Sequence, residues 1–167
     1  MGIDMELGLV QVYGGNGHGK SATALGKAIK YAGKGKNVVI IRFLKGSQYS
    51  EFYKRLEPEI KIFCFEKSEG LFELLTDEQK QEEIDNIRNG LNFAKKVLTT
   101  GECNLLILDE VLGLIDNNII TIDDLKHILD VKSEDVSIIM TGTYLGEEVC
   151  QIADEVYRID AVTSKKV

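Results

Sequence analysis

A glycine-rich segment near the start of the chain has the residue types and spacing of a phosphate-binding loop. Residues 14–21 read GGNGHGKS and fit the pattern G-x-x-x-x-G-K-[ST]. We expect the backbone N–H groups of this loop to wrap a polyphosphate, Lys20 to add a mobile positive charge, and the Ser21 hydroxyl to ligate Mg²⁺. The pattern does not indicate which bond is broken. The candidate nucleotide-binding residues are Gly15, Asn16, Gly17, His18, Gly19, Lys20, Ser21 and Ala22.

Two acidic residues follow an apolar segment about ninety residues downstream of the loop. Leu105–Leu108 is apolar and leads into Asp109 and Glu110. A buried strand that ends in acid beside a phosphate loop can hold Mg²⁺ directly or through water. The sequence therefore predicts a metal site made of Ser21, Asp109 and Glu110.

The elements that must position these residues follow from the hydrophobic pattern, in which short apolar runs alternate with helical stripes. Near-continuous apolar runs are typical of strands buried on both faces of a parallel sheet. Strand–helix alternation predicts an α/β fold with a mainly parallel sheet of about six strands flanked by helices. The predicted strands are 9–13, 37–43, 60–65, 104–108, 136–140 and 156–159. The predicted helices are 22–33, a short one within 48–59, 76–100 with a capping box at its start, 111–116, one capped by Thr121, and 145–153.

Composition and charge favour a single domain that binds a small anionic ligand over a protein that binds nucleic acid. The chain has 167 residues, 44% of them hydrophobic, and we expect one nucleotide-binding domain over residues 1–167. Its net charge is −7, yet residues 1–50 carry seven basic and two acidic side chains. A basic first part suits a small polyanionic ligand, whereas the acidic remainder argues against extended nucleic-acid binding.

Other features bear on location and metal binding. The sequence has no apolar run of 18 residues and no basic, then apolar, signal at its start, so we expect no membrane span and no secretion. Three widely spaced cysteines predict reduced, mostly buried thiols of a cytoplasmic protein. The two histidines, His18 and His127, are too few and too separate for a zinc site.

With these motifs in place, the chain resembles the P-loop class of corrinoid adenosyltransferases, which act on cob(I)alamin or cob(I)yrinic acid a,c-diamide. Gly14–Ser21 is close to the family's G-N-G-K-G-K-T, and Arg42–Gly46 is close to its Q-F-[IL]-K-G. The other segments that match the family in order and spacing are Gly33–Val38, Leu108–Val111 and Thr141–Gly142.

The resemblance implies a RecA-like P-loop fold in which ATP binds in reverse and is a substrate. The reduced cobalt of the corrinoid would attack C5′ of the ribose, and tripolyphosphate would leave. Lys20 and Glu110 are then the catalytic candidates, since they stabilise the leaving group directly or through Mg²⁺. Phe72 and Lys45 are candidates for corrinoid contact. The resemblance also implies a flavoprotein reductant and a homodimer.

The chain departs from the family pattern at several places. Thr143 stands where the family commonly has Arg, His18 replaces the loop lysine, and the chain has no tryptophan. The family's C-terminal segment K-G-[IV]-x-A-x-x-G-[IV]-[ED]-[FY] has no counterpart before Val167. Two alternatives therefore stay open: an ATP-binding relative without adenosyltransferase turnover, and a P-loop ATPase or phosphotransferase in which Glu110 orients the nucleophile.

Overall fold

The computed structural model describes residues 7–43, 51–65 and 71–165, and their strands form one six-stranded sheet. The strands are β1 (Val10–Gly14), β2 (Val38–Arg42), β3 (Ile60–Cys64), β4 (Leu105–Asp109), β5 (Ser137–Gly142) and β6 (Glu155–Arg158). Their order across the sheet is β3-β2-β4-β5-β1-β6, and each neighbouring pair is parallel. The predicted parallel α/β architecture is confirmed.

Helices connect the strands. They are α1 (Lys20–Gly33), α2 (Glu51–Lys54), α3 (Asp77–Thr99), α4 (Val111–Asp116), α5 (Ile122–Asp130) and α6 (Glu147–Ile152). A single 3-10 turn, Phe72–Leu74, precedes α3. The predicted elements all correspond to observed ones, with boundaries that differ by a few residues.

Burial on both faces explains the apolar runs in the sequence. Every residue of β2, β4 and β5 is buried. On one face, Ile40 and Ile107 pack against Ala24 and Ala28 of α1. On the other face, alternate strand residues pack against a cluster that includes Ile87, Leu91, Ala94 and Leu98 of α3. The sheet is therefore a rigid layer between two sets of helices, and its carboxyl edge holds the loops that carry the candidate chemistry.

Local signals set the ends of the longer helices. Thr76 caps α3 in a reciprocal capping box with Gln79, as its sequence predicts. Thr121 caps α5 in the same way with Asp124. Gly35 and Gly101 follow the ends of α1 and α3 with positive φ, where glycine lacks the steric cost of a side chain.

Some expectations are corrected or lie outside the described residues. The expectation of mostly buried thiols is wrong, because Cys64 and Cys150 are exposed. Cys103 alone is buried, and burial together with the neighbouring Glu102 raises the pKa of its thiol to about 11. Residues 44–50 and 66–70, which include Lys45, lie outside the described part of the chain. Within the described ranges, no helix combines the length and apolar character needed to span a membrane.

Candidate functional site

The phosphate-binding loop joins β1 to α1 at the carboxyl edge of the sheet. Gly15 and Gly19 have φ values of 110° and 100°, a left-handed conformation that side chains disfavour and that explains the glycines. The loop borders a cavity of about 220 Å³ lined by Gly17–Ala22 and Glu110. The first turn of α1 borders this cavity with Lys20, Ser21 and Ala22, and the positive end of a helix dipole suits a polyphosphate.

The segment after β6 packs against the back of the loop. Gly17 N donates a hydrogen bond of 2.7 Å to the Ile159 carbonyl, and Asn16 N donates one of 3.2 Å to the Asp160 carboxylate. Ile159 N in turn donates to the Gly14 carbonyl at 2.8 Å. The N–H groups of Asn16 and Gly17, which we expected to face a phosphate, therefore donate hydrogen bonds to Asp160 and Ile159 of the protein. Ile159 and Asp160 thus form a wall behind the loop. The sequence did not predict this wall, since nothing at residues 159 and 160 indicates proximity to a loop 144 residues away.

β6 supports β1 from its outer side. The rings of Tyr13 and Tyr157 are stacked with centroids 5.3 Å apart, and Tyr157 donates a hydrogen bond to Glu155. Burial raises the pKa of Tyr13, and the negative charge of Glu155 adds to the shift. These contacts hold in place the strand from which the loop emerges.

Lys20 folds back over the loop. Its Nζ donates a hydrogen bond of 2.7 Å to the Gly17 carbonyl, and the residue lines the cavity. The ammonium group is thus placed above the loop, where it can move to a phosphate oxygen without a change in the backbone.

A network of hydroxyl and carboxylate groups connects the loop to β4 and β5. Ser21 Oγ donates to Asp109 Oδ1 at 2.7 Å, and Thr141 Oγ1 donates to the same oxygen at 2.8 Å. The Glu110 N–H donates to Thr141 Oγ1 at 2.9 Å. A hydroxyl that donates its proton can also accept, so the Ser21 oxygen has the chemistry of a cation ligand. Thr141 was noted in the sequence only as part of a matching segment.

Asp109 and Glu110 differ in their position relative to the cavity. Asp109 is 4% exposed and lies behind Ser21, whereas Glu110 lines the cavity itself. Glu110 has a φ of 64°, an unusual conformation for a residue with a side chain, and it directly precedes α4. The donor set of a hydroxyl and a carboxylate fits Mg²⁺, which binds few protein oxygens and takes others from substrate phosphates. No group of three or more His, Cys, Asp or Glu in the described ranges is arranged to hold a metal by itself.

Arg42 is a member of the site that sequence analysis did not identify as functional. It is the last residue of β2, is 9% exposed, and its Nε lies 3.5 Å from Asp109 Oδ2. The Tyr53 ring covers the guanidinium at 4.6 Å from its centroid. Register explains the contact, since Arg42 and Asp109 are directly paired on neighbouring strands.

Of the two candidates for corrinoid contact, Phe72 lies away from the cavity. Phe72 is half-buried against the main hydrophobic cluster, with Lys80 Nζ 5.8 Å from its ring centroid, and it does not line the loop cavity. Lys45 lies outside the described part of the chain. The structure therefore gathers Gly15–Ala22, Asp109 and Glu110 in one place and leaves Phe72 apart from them.

Comparisons with known proteins agree with this geometry. The chain matches the family model described as ATP:corrinoid adenosyltransferase BtuR/CobO/CobP over residues 6–165. It is 24% identical over 157 residues to the corrinoid adenosyltransferase of Escherichia coli K12, covering 94% of this chain and 79% of that protein. It is 25% identical over 159 residues to the corrinoid adenosyltransferase CobA of Salmonella typhimurium, covering the same 94% and 79%.

Among solved structures, the chain resembles the flagellar accessory protein FlaH of Methanocaldococcus jannaschii. The TM-score is 0.60 at 18% sequence identity, over 95% of this chain and 73% of that one. A likeness at this identity shows the fold alone, and it confirms the RecA-like P-loop fold.

Proposed function

The chain belongs to the ATP:corrinoid adenosyltransferase family BtuR/CobO/CobP, and from that membership we propose that it transfers the 5′-deoxyadenosyl group of ATP to the reduced cobalt of a corrinoid and releases tripolyphosphate. The observation that carries the proposal is the cavity bounded by the phosphate loop and Glu110, with Lys20 and Ser21 in its wall. It offers donors to a triphosphate, and the oxygens of Ser21 and Glu110 would hold Mg²⁺ there. A triphosphate held there is a leaving group when the attack falls on C5′.

The reaction needs little acid–base chemistry from the protein. A Co(I) centre is already a strong nucleophile, so it forms the cobalt–carbon bond with its own electron pair while the C5′–O5′ bond breaks toward the triphosphate. No proton has to be removed from the nucleophile, so no general base is required. The protein must orient C5′ and stabilise the negative charge that grows on the leaving oxygen.

The residues around the loop have different roles in binding ATP and stabilising the leaving group. The N–H groups at the start of α1 and the Lys20 ammonium stabilise the leaving triphosphate. Ser21 and Glu110 would hold Mg²⁺, whose bound charge neutralises phosphate oxygens. Asp109 fixes the orientation of the Ser21 hydroxyl through its 2.7 Å hydrogen bond. Gly15, Asn16, Gly17, His18, Gly19 and Ala22 shape the loop around ATP.

Further parts of the proposal concern the second substrate and partners. We propose that Phe72 and Lys45 contact the corrinoid, that a flavoprotein supplies the electron that generates Co(I), and that the protein works in the cytoplasm as a homodimer over a single domain. These points rest on family membership and not on the cavity geometry.

The decisive experiment is to incubate the protein with ATP, Mg²⁺ and chemically reduced cobalamin, and to measure the adenosylated corrinoid and the phosphate product. We expect one tripolyphosphate for each adenosyl group transferred. Lys20→Ala should lower the rate roughly 10²–10³-fold, because it removes a charge that stabilises the leaving group.

A matched control is Lys61→Ala, which removes an exposed lysine from β3 at the far side of the sheet. It should leave the rate unchanged. Release of ADP and orthophosphate would instead indicate an ATPase, and ADP with a phosphorylated acceptor would indicate a phosphotransferase. Tight binding of ATP with no product from any reduced corrinoid would indicate a nucleotide-binding relative without turnover.

A further inference from the structure

Arg42 lies buried directly behind the metal-binding face of the proposed nucleotide site. Its guanidinium sits between Asp109, which is 3.5 Å from Nε, and the face of the Tyr53 ring. Ser21, Asp109, Arg42 and Tyr53 line one small gap under the start of α1. The arginine therefore contacts the carboxylate that orients the proposed metal-binding hydroxyl.

The hydrogen bonding of Arg42 is incomplete. Within the described residues, neither Nε nor Nη1 makes a hydrogen bond, although both atoms are buried. Burying a guanidinium with unmatched donors costs free energy, which only a strong interaction can offset. The interaction with Asp109 is mainly one of charge, because the distance of 3.5 Å is long for a hydrogen bond.

We propose that Arg42 is a positioning residue that acts through Asp109 as a built-in cation, making ATP binding less dependent on Mg²⁺. By partly neutralising Asp109, it lowers the negative potential at the Ser21 oxygen and so weakens metal binding. The same positive charge favours the triphosphate when no metal is present, since Coulomb interactions extend well beyond contact distance inside a protein. The inference rests on the proposed binding of ATP at the loop and requires no corrinoid chemistry.

The test compares metal-free ATP affinity, measured calorimetrically in EDTA, with Mn²⁺ affinity of the ATP complex, measured by electron paramagnetic resonance. For Arg42→Gln we expect opposite changes: Mn²⁺ binds at least fivefold tighter and metal-free ATP at least fivefold weaker. Arg42→Lys keeps the charge and should stay within twofold of the wild type for both. Arg55→Gln removes the same charge from an exposed position near Tyr53 and should also stay within twofold.

A double-mutant cycle tests whether the effect passes through Asp109. In an Asp109→Asn background, the effect of Arg42→Gln on Mn²⁺ affinity should fall below twofold. An undiminished effect in that background overturns the proposal. The double variant removes both buried charges, so if Arg42→Gln alone does not fold, the comparison of Asp109→Asn with the double variant is still available. That pair should differ less than twofold in Mn²⁺ affinity, and a larger difference overturns the proposal.

Other results would also overturn the proposal. Equal affinities in folded Arg42→Gln and wild type, or a loss of both, would show that Arg42 has only a structural role. Failure of the wild type to bind ATP at all would overturn the proposed nucleotide site itself and this inference with it. Normal ATP binding without corrinoid turnover would contradict the proposed reaction and leave the measured role of Arg42 intact.

Discussion

Gly15 and Gly17 of the phosphate loop have backbone neighbours that leave no room for a methyl group. A Cβ on Gly17 would lie 2.6 Å from the Ile159 carbonyl oxygen, and one on Gly15 would lie 2.7 Å from the same atom. Because these neighbours are backbone atoms, they cannot move aside by rotating a side chain. The close approach of the segment after β6 accounts for the small residues here, beyond any requirement of a phosphate.

We predict that Gly17→Ala weakens ATP binding at least tenfold, since the added methyl group must displace either the loop or Ile159. The 2.7 Å bond from Gly17 N to Ile159 would be lost or lengthened at the same time. Calorimetric titration with ATP measures the effect, and thermal melting reports whether the fold survives.

Gly26→Ala is the matched control, because a Cβ at that position of α1 meets no atom within 4 Å. It should leave ATP affinity unchanged and stabilise the protein by about 0.5–1 kcal/mol, as alanine favours a helix. Unaltered ATP affinity in Gly17→Ala would contradict the view that the wall behind the loop is rigid.

An ion pair connects the start of α5 to α3. Arg88 Nη1 of α3 donates to Asp124 Oδ1 at 2.7 Å, and Asp124 also closes the capping box with Thr121. Burial raises the pKa of Asp124, but the hydrogen bonds from Arg88 and Thr121 outweigh it, so the pKa lies below its usual value. The carboxylate therefore stabilises the folded state in its ionised form.

We predict that Asp124→Ala lowers the free energy of unfolding by about 1 kcal/mol at pH 7, as expected for a lost helix cap. The stabilising effect of a carboxylate with a lowered pKa is complete above the pKa of the unfolded chain, about 3.9. It is lost as the pH falls through the folded-state pKa. The difference between wild type and variant should thus be constant from pH 7 to 5 and shrink in more acidic solution, as measured by urea unfolding.

Asp123→Ala provides the comparison, since Asp123 is 79% exposed and lies 3.9 Å from Lys126 in an exposed pair. Such pairs contribute little, so its effect should be small at every pH. A difference for Asp124→Ala that is independent of pH down to pH 2 would mean that helix propensity, and not the charge, is responsible.

Helices and strands were predictable from sequence to the extent that their signals are local. Three examples are the helix start at Thr76, the helix start at Thr121 and the apolar run of β4. The residues that predict each of them lie within or next to the element, and all three are observed. The ion pair of Arg42 with Asp109 was not predictable, because it depends on β2 lying next to β4 in a particular register. The wall formed by Ile159 and Asp160 has no local signal either, since these residues reach the loop only because β6 pairs with β1.

The order of strands places β1 between the last two strands of the chain. β1 pairs with β5 on one side and with β6 on the other. The phosphate loop, near the start of the chain, is therefore supported by residues near its end. Nucleotide binding should depend on the final strand although no candidate ATP ligand lies in it.

We predict that a chain ending at Arg158 retains the sheet but binds ATP at least tenfold more weakly than the full chain. It lacks the two backbone hydrogen bonds between Ile159 and the loop, as well as the Asp160 carboxylate. A chain ending at Ala161 keeps these contacts and should bind ATP normally. Calorimetry gives the affinities and circular dichroism the secondary structure; equal affinities would show that the wall is dispensable.

The contact between Gly17 and Ile159 also bears on biosynthesis. Ribosomes make the chain from its N-terminus, so the loop emerges long before the segment that backs it, with a separation of 144 residues for the Asn16–Asp160 contact. During that interval β1 has neither of its neighbours in the sheet. A nascent chain that stops short of Ile159 would thus display the complete glycine-rich motif without its support, so ATP should not guide the earlier steps of folding and should be captured only after Ile159 and Asp160 have been made.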